Sequence, residues 1–146
     1  MPVFLRNRQR RPIAGARLKR IAAAVLAAEG CHPEAELSVV IGDDAWMQEL
    51  NQDYTGRETP TDVLAFPQDV ALPGEGVMLG DVAISAETAA RQAETLGHSL
   101  MAELALLLTH GILHLTGWED KTPNQRRRMM ARARKLLREI APDLAP

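Results

Sequence analysis

Apolar residues follow a strand-like pattern in four short segments of the chain. The run LSVVI at 37–41 is β-branched and apolar, which predicts a buried strand, and similar runs predict strands at 3–5, 62–66 and 77–84. Pro67 is expected to end the third strand, and the fourth is expected to break near Gly80. A loop rich in Pro and Gly at 71–76 separates these two strands.

Helical spacing of apolar residues predicts five helices, at 12–29, 45–54, 85–96, 99–115 and 124–140. Ser85, Ser99 and Thr122 are predicted N-caps, because each hydroxyl precedes a helical segment and can accept from its first-turn N–H groups. Trp46 and Leu50 lie four residues apart in the second helix and are expected to face inward. The fourth helix is apolar nearly all round, which is typical of a buried helix. The pattern predicts one α+β domain over residues 1–146, with a mixed sheet of about four strands packed by about five helices.

The composition supports a globular protein and excludes several classes. The chain has 146 residues, of which 46% are hydrophobic and 25% charged. Cys31 is the single cysteine, which excludes a disulfide framework and a zinc site built from cysteines. No run approaches the roughly 18 apolar residues that a membrane span needs, so we expect a cytoplasmic protein with no membrane partner. Aromatic residues make up 3%, which argues against a surface that stacks bases on rings.

Basic residues are concentrated at the two ends of the chain, although the net charge is only −2. Seven of the 17 Lys and Arg residues precede Ile21, and eight lie from Lys121 onward. If both ends fold onto one face, they form a cationic surface suited to phosphate backbones. The alternative is two separate, solvated helix faces.

Two histidines in the buried helix are the first candidates for chemistry. His110 and His114 lie at i and i+4, on one helix face, where two imidazoles can grip one metal ion. Gly117 permits a sharp reversal that returns Asp120, or the rival Glu119, to the same face. Three protein ligands and one open position are how catalytic zinc is held. The alternative for each histidine is a core residue bonded to backbone carbonyls.

The spacing is similar to the metzincin pattern H-E-x-x-H-x-x-G-x-x-H, with Asp in the third ligand position. Gly111 occupies the position of the general-base Glu of those proteases. A protease mechanism therefore lacks its proton acceptor, and that function is disfavoured.

Three linked motifs resemble the YbeY family of bacterial metal-dependent endoribonucleases. The family signature H-G-x-L-H-L-x-G-Y-D-H is matched by HGILHLTGWED at 110–120. The family segment L-N-x-x-Y-R-G-K-x-x-P-T-D-V-L-S-F-P is matched by LNQDYTGRETPTDVLAFP at 50–67. The family element G-D-I-x-I-S is matched by GDVAIS at 80–85. Order and spacing agree from about residue 37 to residue 120, most of the chain.

The sequence departs from the family pattern at three positions. Asp120 replaces the third His, and a carboxylate is an acceptable zinc ligand but a harder donor. Thr55 replaces an Arg thought to hold substrate or stabilise phosphate charge, and Arg57, two residues on, is the candidate catalytic replacement. The alternative for Arg57 is an exposed loop residue. Ala65 replaces a Ser, which we expect to change packing only slightly.

The resemblance implies a buried metal-bearing helix and a zinc-dependent, single-strand-specific endoribonuclease. It implies maturation of the 16S rRNA 3′ end and ribosome quality control, with one Zn²⁺ per chain held by His110, His114 and Asp120. The implied partners are ribosomal RNA and the small ribosomal subunit, with ribosomal proteins or an assembly GTPase as further candidates. Two rivals stay open: a non-catalytic ribosome-assembly factor with a structural metal, and another zinc hydrolase.

Overall fold

Strands and helices alternate in an order that brings the carboxyl ends of the parallel strands to one side. The computed structural model describes residues 2–56, 61–71 and 77–145. The elements are β1 (Val3–Asn7), α1 (Gly15–Ala28), β2 (Ala35–Gly42), α2 (Asp44–Thr55), β3 (Val63–Ala71), β4 (Val77–Ser85), α3 (Ala86–Leu96), α4 (Leu100–Leu115) and α5 (Pro123–Ile140). The predicted loop at 71–76 lies almost wholly outside the described residues.

The four strands form one mixed sheet in the order β1-β2-β4-β3. Strands β1, β2 and β4 are parallel, and β3 runs antiparallel to β4 at the edge of the sheet. The predicted α+β class, with a four-stranded mixed sheet and five helices, is confirmed.

The two faces of the sheet differ in how they are covered. One face is apolar and is buried beneath α1 and α4 through residues such as Leu37, Val39 and Val82. Helix α5 packs on α4 and α1. The opposite, open face of the sheet carries half-buried and exposed side chains, and α2 lies over part of it. Strand β2 shows this division in the alternation of buried and half-buried positions from residue 35 to residue 41.

Local cap chemistry sets the helix starts as predicted. Ser85, Ser99 and Thr122 each accept a hydrogen bond from a backbone N–H in the first turn of the helix that follows. Thr122 also forms a capping box with Gln125, whose side chain accepts from the Thr122 N–H at 3.1 Å.

The first residue of α2 ties that helix to the start of α3. The Asp44 carboxylate accepts from the hydroxyls of Ser85 (2.6 Å) and Thr88 (2.7 Å) and from the Arg91 guanidinium (2.7 Å). Burial alone raises the pKa of Asp44, but these donors outweigh burial and lower that pKa below its ordinary value. The network fixes the two helix N-termini beside the ends of β2 and β4.

Pro67 does not end β3, contrary to the sequence expectation. The strand continues through Pro67 to Ala71, with a register irregularity between Pro67 and Val70. Proline is tolerated because β3 is an edge strand, so the missing N–H need not break a central ladder.

Strand β4 likewise passes through Gly80 as a bulge, not as a break. Leu79 is the extra residue, since Met78 pairs with Glu36 and Gly80 pairs with Leu37. Gly80 has φ of 149°, and an added Cβ would lie 2.2 Å from the Phe66 carbonyl oxygen. Only glycine fits this position.

The inward face of α2 also differs from the sequence expectation. Met47 and Asn51 are its buried residues, whereas Trp46 and Leu50 are half-buried and line a cavity. Leucine and tryptophan are therefore turned toward the open face of the sheet, not into the main core.

Within the described residues, no single helix is long and apolar enough to cross a membrane; α3 and α4 pass that test only as a pair bent by 115°.

Candidate metal centre

Helix α4 carries the two predicted histidine ligands through the middle of the core. Eleven of its 16 residues are buried, which confirms the predicted buried helix. Gly111 allows the helix to lie directly on the sheet, because a Cβ there would meet Val82 Cγ1 at 2.7 Å and Val63 Cγ2 at 3.3 Å. The position at which metzincins place their base is thus filled by sheet side chains.

His110 and His114 project from the same side of α4 with their Nε2 atoms 3.2 Å apart. Their rings meet edge to face, with centroids 4.8 Å apart and an interplanar angle of 82°. The side chains are 19% and 29% exposed, so the pair opens to solvent from the edge of a buried helix.

The chain reverses after α4 and brings a carboxylate to the histidines. Gly117 has φ of 105°, a left-handed conformation that favours glycine. Asp120 Oδ2 then lies 3.3 Å from His114 Nε2 and 3.8 Å from His110 Nε2. Glu119 faces Lys121 (3.9 Å) and Gln125 (3.5 Å) instead. Of the two rival acids, Asp120 is the one that joins the histidines.

The separations of the three ligand atoms fit a small tetrahedral ion. Zinc binds imidazole nitrogen and carboxylate oxygen at about 2.1 Å, so two ligand atoms of a tetrahedral site lie about 3.4 Å apart. His110, His114 and Asp120 offer atoms 3.2, 3.3 and 3.8 Å apart. They form a group of potential metal ligands among the described residues.

The charge state of His110 also suits a ligand. Burial and the neighbouring His114 lower the pKa of His110, although Asp120 and Asp62 oppose this shift. The lowered pKa favours the neutral ring, which is the form that metal binding requires. Its Nδ1 is buried without a hydrogen-bond partner in the described part of the chain, so Nε2 is the atom presented to the group.

A network behind the loop holds Asp120 in place. The Glu29 carboxylate at the end of α1 accepts from Arg132 Nε (2.8 Å) on α5 and from Trp118 Nε1 (3.4 Å). Arg126 donates to the Asp120 carbonyl oxygen at 3.2 Å. Helices α1 and α5 thus converge on the loop, which sequence motifs alone did not indicate.

The other residues of the sequence motifs take different positions. Thr55, at the position of the family Arg, donates its hydroxyl to the Asn51 carbonyl oxygen at 2.7 Å and so closes the last turn of α2. Arg57, the candidate catalytic residue, lies outside the described residues. Asp62 accepts from the Val63 N–H at 2.8 Å, consistent with a junction residue at the start of β3.

Fold and site together define a single α+β domain in which a buried helix and a following loop present a His-His-Asp group that could bind a metal ion. The family model "Endoribonuclease YbeY" matches residues 5–141. The chain therefore belongs to the YbeY family.

Relatives agree over nearly the whole length. An endoribonuclease YbeY of Thermobifida fusca is 42% identical over 143 residues, covering 94% of this chain and 92% of the relative. One from Geobacter metallireducens is 43% identical over 141 residues, covering 93% of each. A solution structure of a Thermotoga maritima protein shares the fold at 20% identity, with a TM-score of 0.65 and coverage of 97% of this chain and 90% of that one.

Proposed function

We propose that this chain is a zinc-dependent endoribonuclease that cuts unpaired ribosomal RNA in the cytoplasm. Its proposed tasks are maturation of the 16S rRNA 3′ end and ribosome quality control, on or near the small ribosomal subunit. The observation that carries the proposal is the set of three ligand atoms 3.2–3.8 Å apart in a chain whose relatives are named endoribonuclease YbeY.

His110, His114 and Asp120 are the proposed ligands. The two imidazoles project from a buried helix, which cannot move without disturbing the core. The carboxylate lies on a loop that is hydrogen-bonded to Glu29 through Trp118. The chemistry that zinc supplies in such a site is activation of water, whose pKa falls to about 7. The three side chains would fix the positions of the ligand atoms, and the Asp120 carboxylate would add one negative charge to the site.

The basic ends of the chain are the proposed contact for the RNA backbone. Helices α1 and α5 pack together and are joined by the ion pairs of Arg17 with Asp143 and of Arg132 with Glu29. Exposed cations remain along both helices: Lys19, Arg20, Arg126, Arg127, Arg128, Arg134, Lys135 and Arg138. Such a surface binds phosphates without reading sequence. Arg57 is proposed to stabilise charge on the phosphoryl group during cleavage.

The test compares zinc content and RNA cleavage in wild type, Asp120→Ala and the control Glu119→Ala. We expect about one zinc per chain in wild type and in the control, and a large loss in Asp120→Ala, because three-ligand sites need each ligand. Cleavage of an unpaired RNA should follow zinc content. Asp120→His, which restores the family ligand, should retain both.

Two results would contradict the proposal. Full zinc content in Asp120→Ala would remove Asp120 from the site. Zinc-loaded wild type that binds ribosomal RNA without cleaving it would favour the rival assembly factor with a structural metal.

A further inference from the structure

Most of the aromatic residues of the chain lie on or above the open face of the sheet, although the chain has few of them. Phe4, Ser38, Asp81 and Phe66 are register partners across all four strands and so lie in one row on this face. Phe4 is 55% exposed. Helix α2 adds Trp46 and Tyr54 above the same face. Four of the five aromatic residues in the sequence therefore lie on one side of the molecule.

The rings of this side line a cavity of about 550 Å³ between α2 and strands β3 and β4. Trp46, Tyr54 and Phe66 contribute to its wall, and Asp81 and Ala83 to its floor. Tyr54 and Phe66 contact each other with ring centroids 4.5 Å apart and planes tilted by 43°. Tyr54 is 66% exposed, so one face of a supported ring is open to a further flat group.

Positive charge borders the cavity, whereas a carboxylate lies within it. The Arg8 guanidinium lies 5.2 Å from the Trp46 ring centroid. Arg6 is exposed on the adjacent row of the same face. Neither arginine makes an ion pair with any described residue. Asp81 in the floor accepts from Gln68 Nε2 at 3.0 Å.

These charges would orient a nucleotide bound in the cavity. A phosphate is repelled by Asp81 and attracted by Arg6 and Arg8, so a nucleotide would place its phosphate at the arginine border. Its base would then enter among the rings, where the Asp81 carboxylate can accept from an exocyclic amine.

We propose that the groove formed by Trp46, Tyr54, Phe66 and Asp81 binds an unpaired nucleobase of the RNA by stacking. Exposed rings beside arginines are how proteins hold single-stranded nucleic acid. RNA-binding sheets use the same device, with aromatic side chains on an open four-stranded face. The inference deepens the proposed function, because a base paired in a duplex cannot enter the groove and only unpaired RNA is retained.

The test measures the affinity of the zinc-loaded protein for a short fluorescein-labelled oligoadenylate by fluorescence anisotropy. The variant is Tyr54→Ala, which should fold normally because the side chain is exposed. Tyr54→Phe keeps the ring, and Leu96→Ala removes an exposed apolar side chain (63%) elsewhere, at the end of α3. An oligonucleotide of the same length with abasic positions removes the base and keeps the phosphates.

We expect Tyr54→Ala to weaken binding by about 5- to 150-fold, the effect of losing one stacked base. Tyr54→Phe and Leu96→Ala should bind as wild type, and the abasic oligonucleotide should bind wild type and Tyr54→Ala equally. Equal affinity of Tyr54→Ala and wild type for oligoadenylate would overturn the proposal and leave the groove as a surface for a protein partner.

The binding assay tests the proposed base-stacking groove, and the cleavage assay tests the proposed nuclease activity. If wild type binds through Tyr54 but does not cleave, the nuclease proposal fails and the groove stands. If wild type cleaves and Tyr54→Ala binds and cleaves equally well, the nuclease stands and the groove fails.

Discussion

Replacing Gly111 by Ala tests whether the close approach of α4 to the sheet positions the histidines. The added Cβ would lie 2.7 Å from Val82 Cγ1 and 3.1 Å from Val82 Cγ2, whereas carbon atoms in contact prefer about 3.5–4.0 Å. The helix or the valine must therefore shift by about 1 Å. Overpacking of this kind costs about 1–3 kcal/mol. Alanine is a better helix former than glycine, and this difference raises the free energy of unfolding by about 1 kcal/mol.

A double-mutant cycle separates these two contributions. In the wild-type background, Gly111→Ala should be neutral or destabilise by up to about 2 kcal/mol. In a Val82→Ala background the two closest contacts are gone and only Val63 Cγ2, at 3.3 Å, stays close, so the same substitution should stabilise by up to about 1 kcal/mol. The coupling between the two positions is therefore about 1–3 kcal/mol. Gly15→Ala, where an added Cβ meets only Leu5 Cδ2 at 3.4 Å, is the matched control.

Urea unfolding of the four cycle proteins and the control measures the coupling, and elemental analysis of the same samples measures zinc. Zinc content should fall in Gly111→Ala, because residues 110 and 114 move with the helix, and recover in the double mutant. An equal effect of Gly111→Ala in both backgrounds would refute the packing argument.

Two other substitutions test contacts away from the ligands. Glu29→Ala removes the shared acceptor of Arg132 and Trp118 and should lower the free energy of unfolding by about 1.5–3 kcal/mol, measured by urea unfolding; an unchanged midpoint would contradict the assigned role. Asp44→Asn should destabilise by about 1–3 kcal/mol at pH 7, because donors such as buried Ser85 lose a charged acceptor. Since the folded-state pKa of Asp44 is lowered, its contribution is complete above the ordinary value of 3.8 and disappears as pH falls through the folded pKa. The stability gap between wild type and Asp44→Asn should therefore narrow in acid, and a constant gap from pH 7 to pH 2 would contradict the reasoning.

Features that depend on neighbouring residues were predictable from the sequence. The caps Ser85, Ser99 and Thr122 act within one turn, so their residue type and position were enough to place three helix starts. The i, i+4 spacing of His110 and His114 likewise fixed a shared face once the segment was helical. The choice of Asp120 over Glu119 came from motif register; Asp120 Oδ2 lies 3.3 Å from His114 Nε2, and its role as a ligand stays a prediction.

Features that depend on which strands become neighbours were not predictable in this way. Pro67 was expected to end β3, because only the strand order shows that β3 is at the sheet edge. Trp46 and Leu50 were expected to face inward, because spacing identifies a stripe on a helix but not the surface that the stripe meets. The low aromatic content argued against base stacking, yet strand register brings Phe4 and Phe66 onto one face, which composition does not reveal.

The edge position of β3 has a consequence for self-association. Because the Ser85 N–H donates to the Asp62 carbonyl oxygen, alternation along the ladder turns the backbone groups of Val63, Ala65 and Pro67 away from β4. The Val63 N–H is already taken by the Asp62 carboxylate, and Pro67 has none to offer. Among backbone donors at 63–67, an incoming strand would find only the Ala65 N–H. The β3 edge therefore offers few donors for the edge-to-edge joining of sheets that leads to aggregation, while its ladder to β4 stays intact.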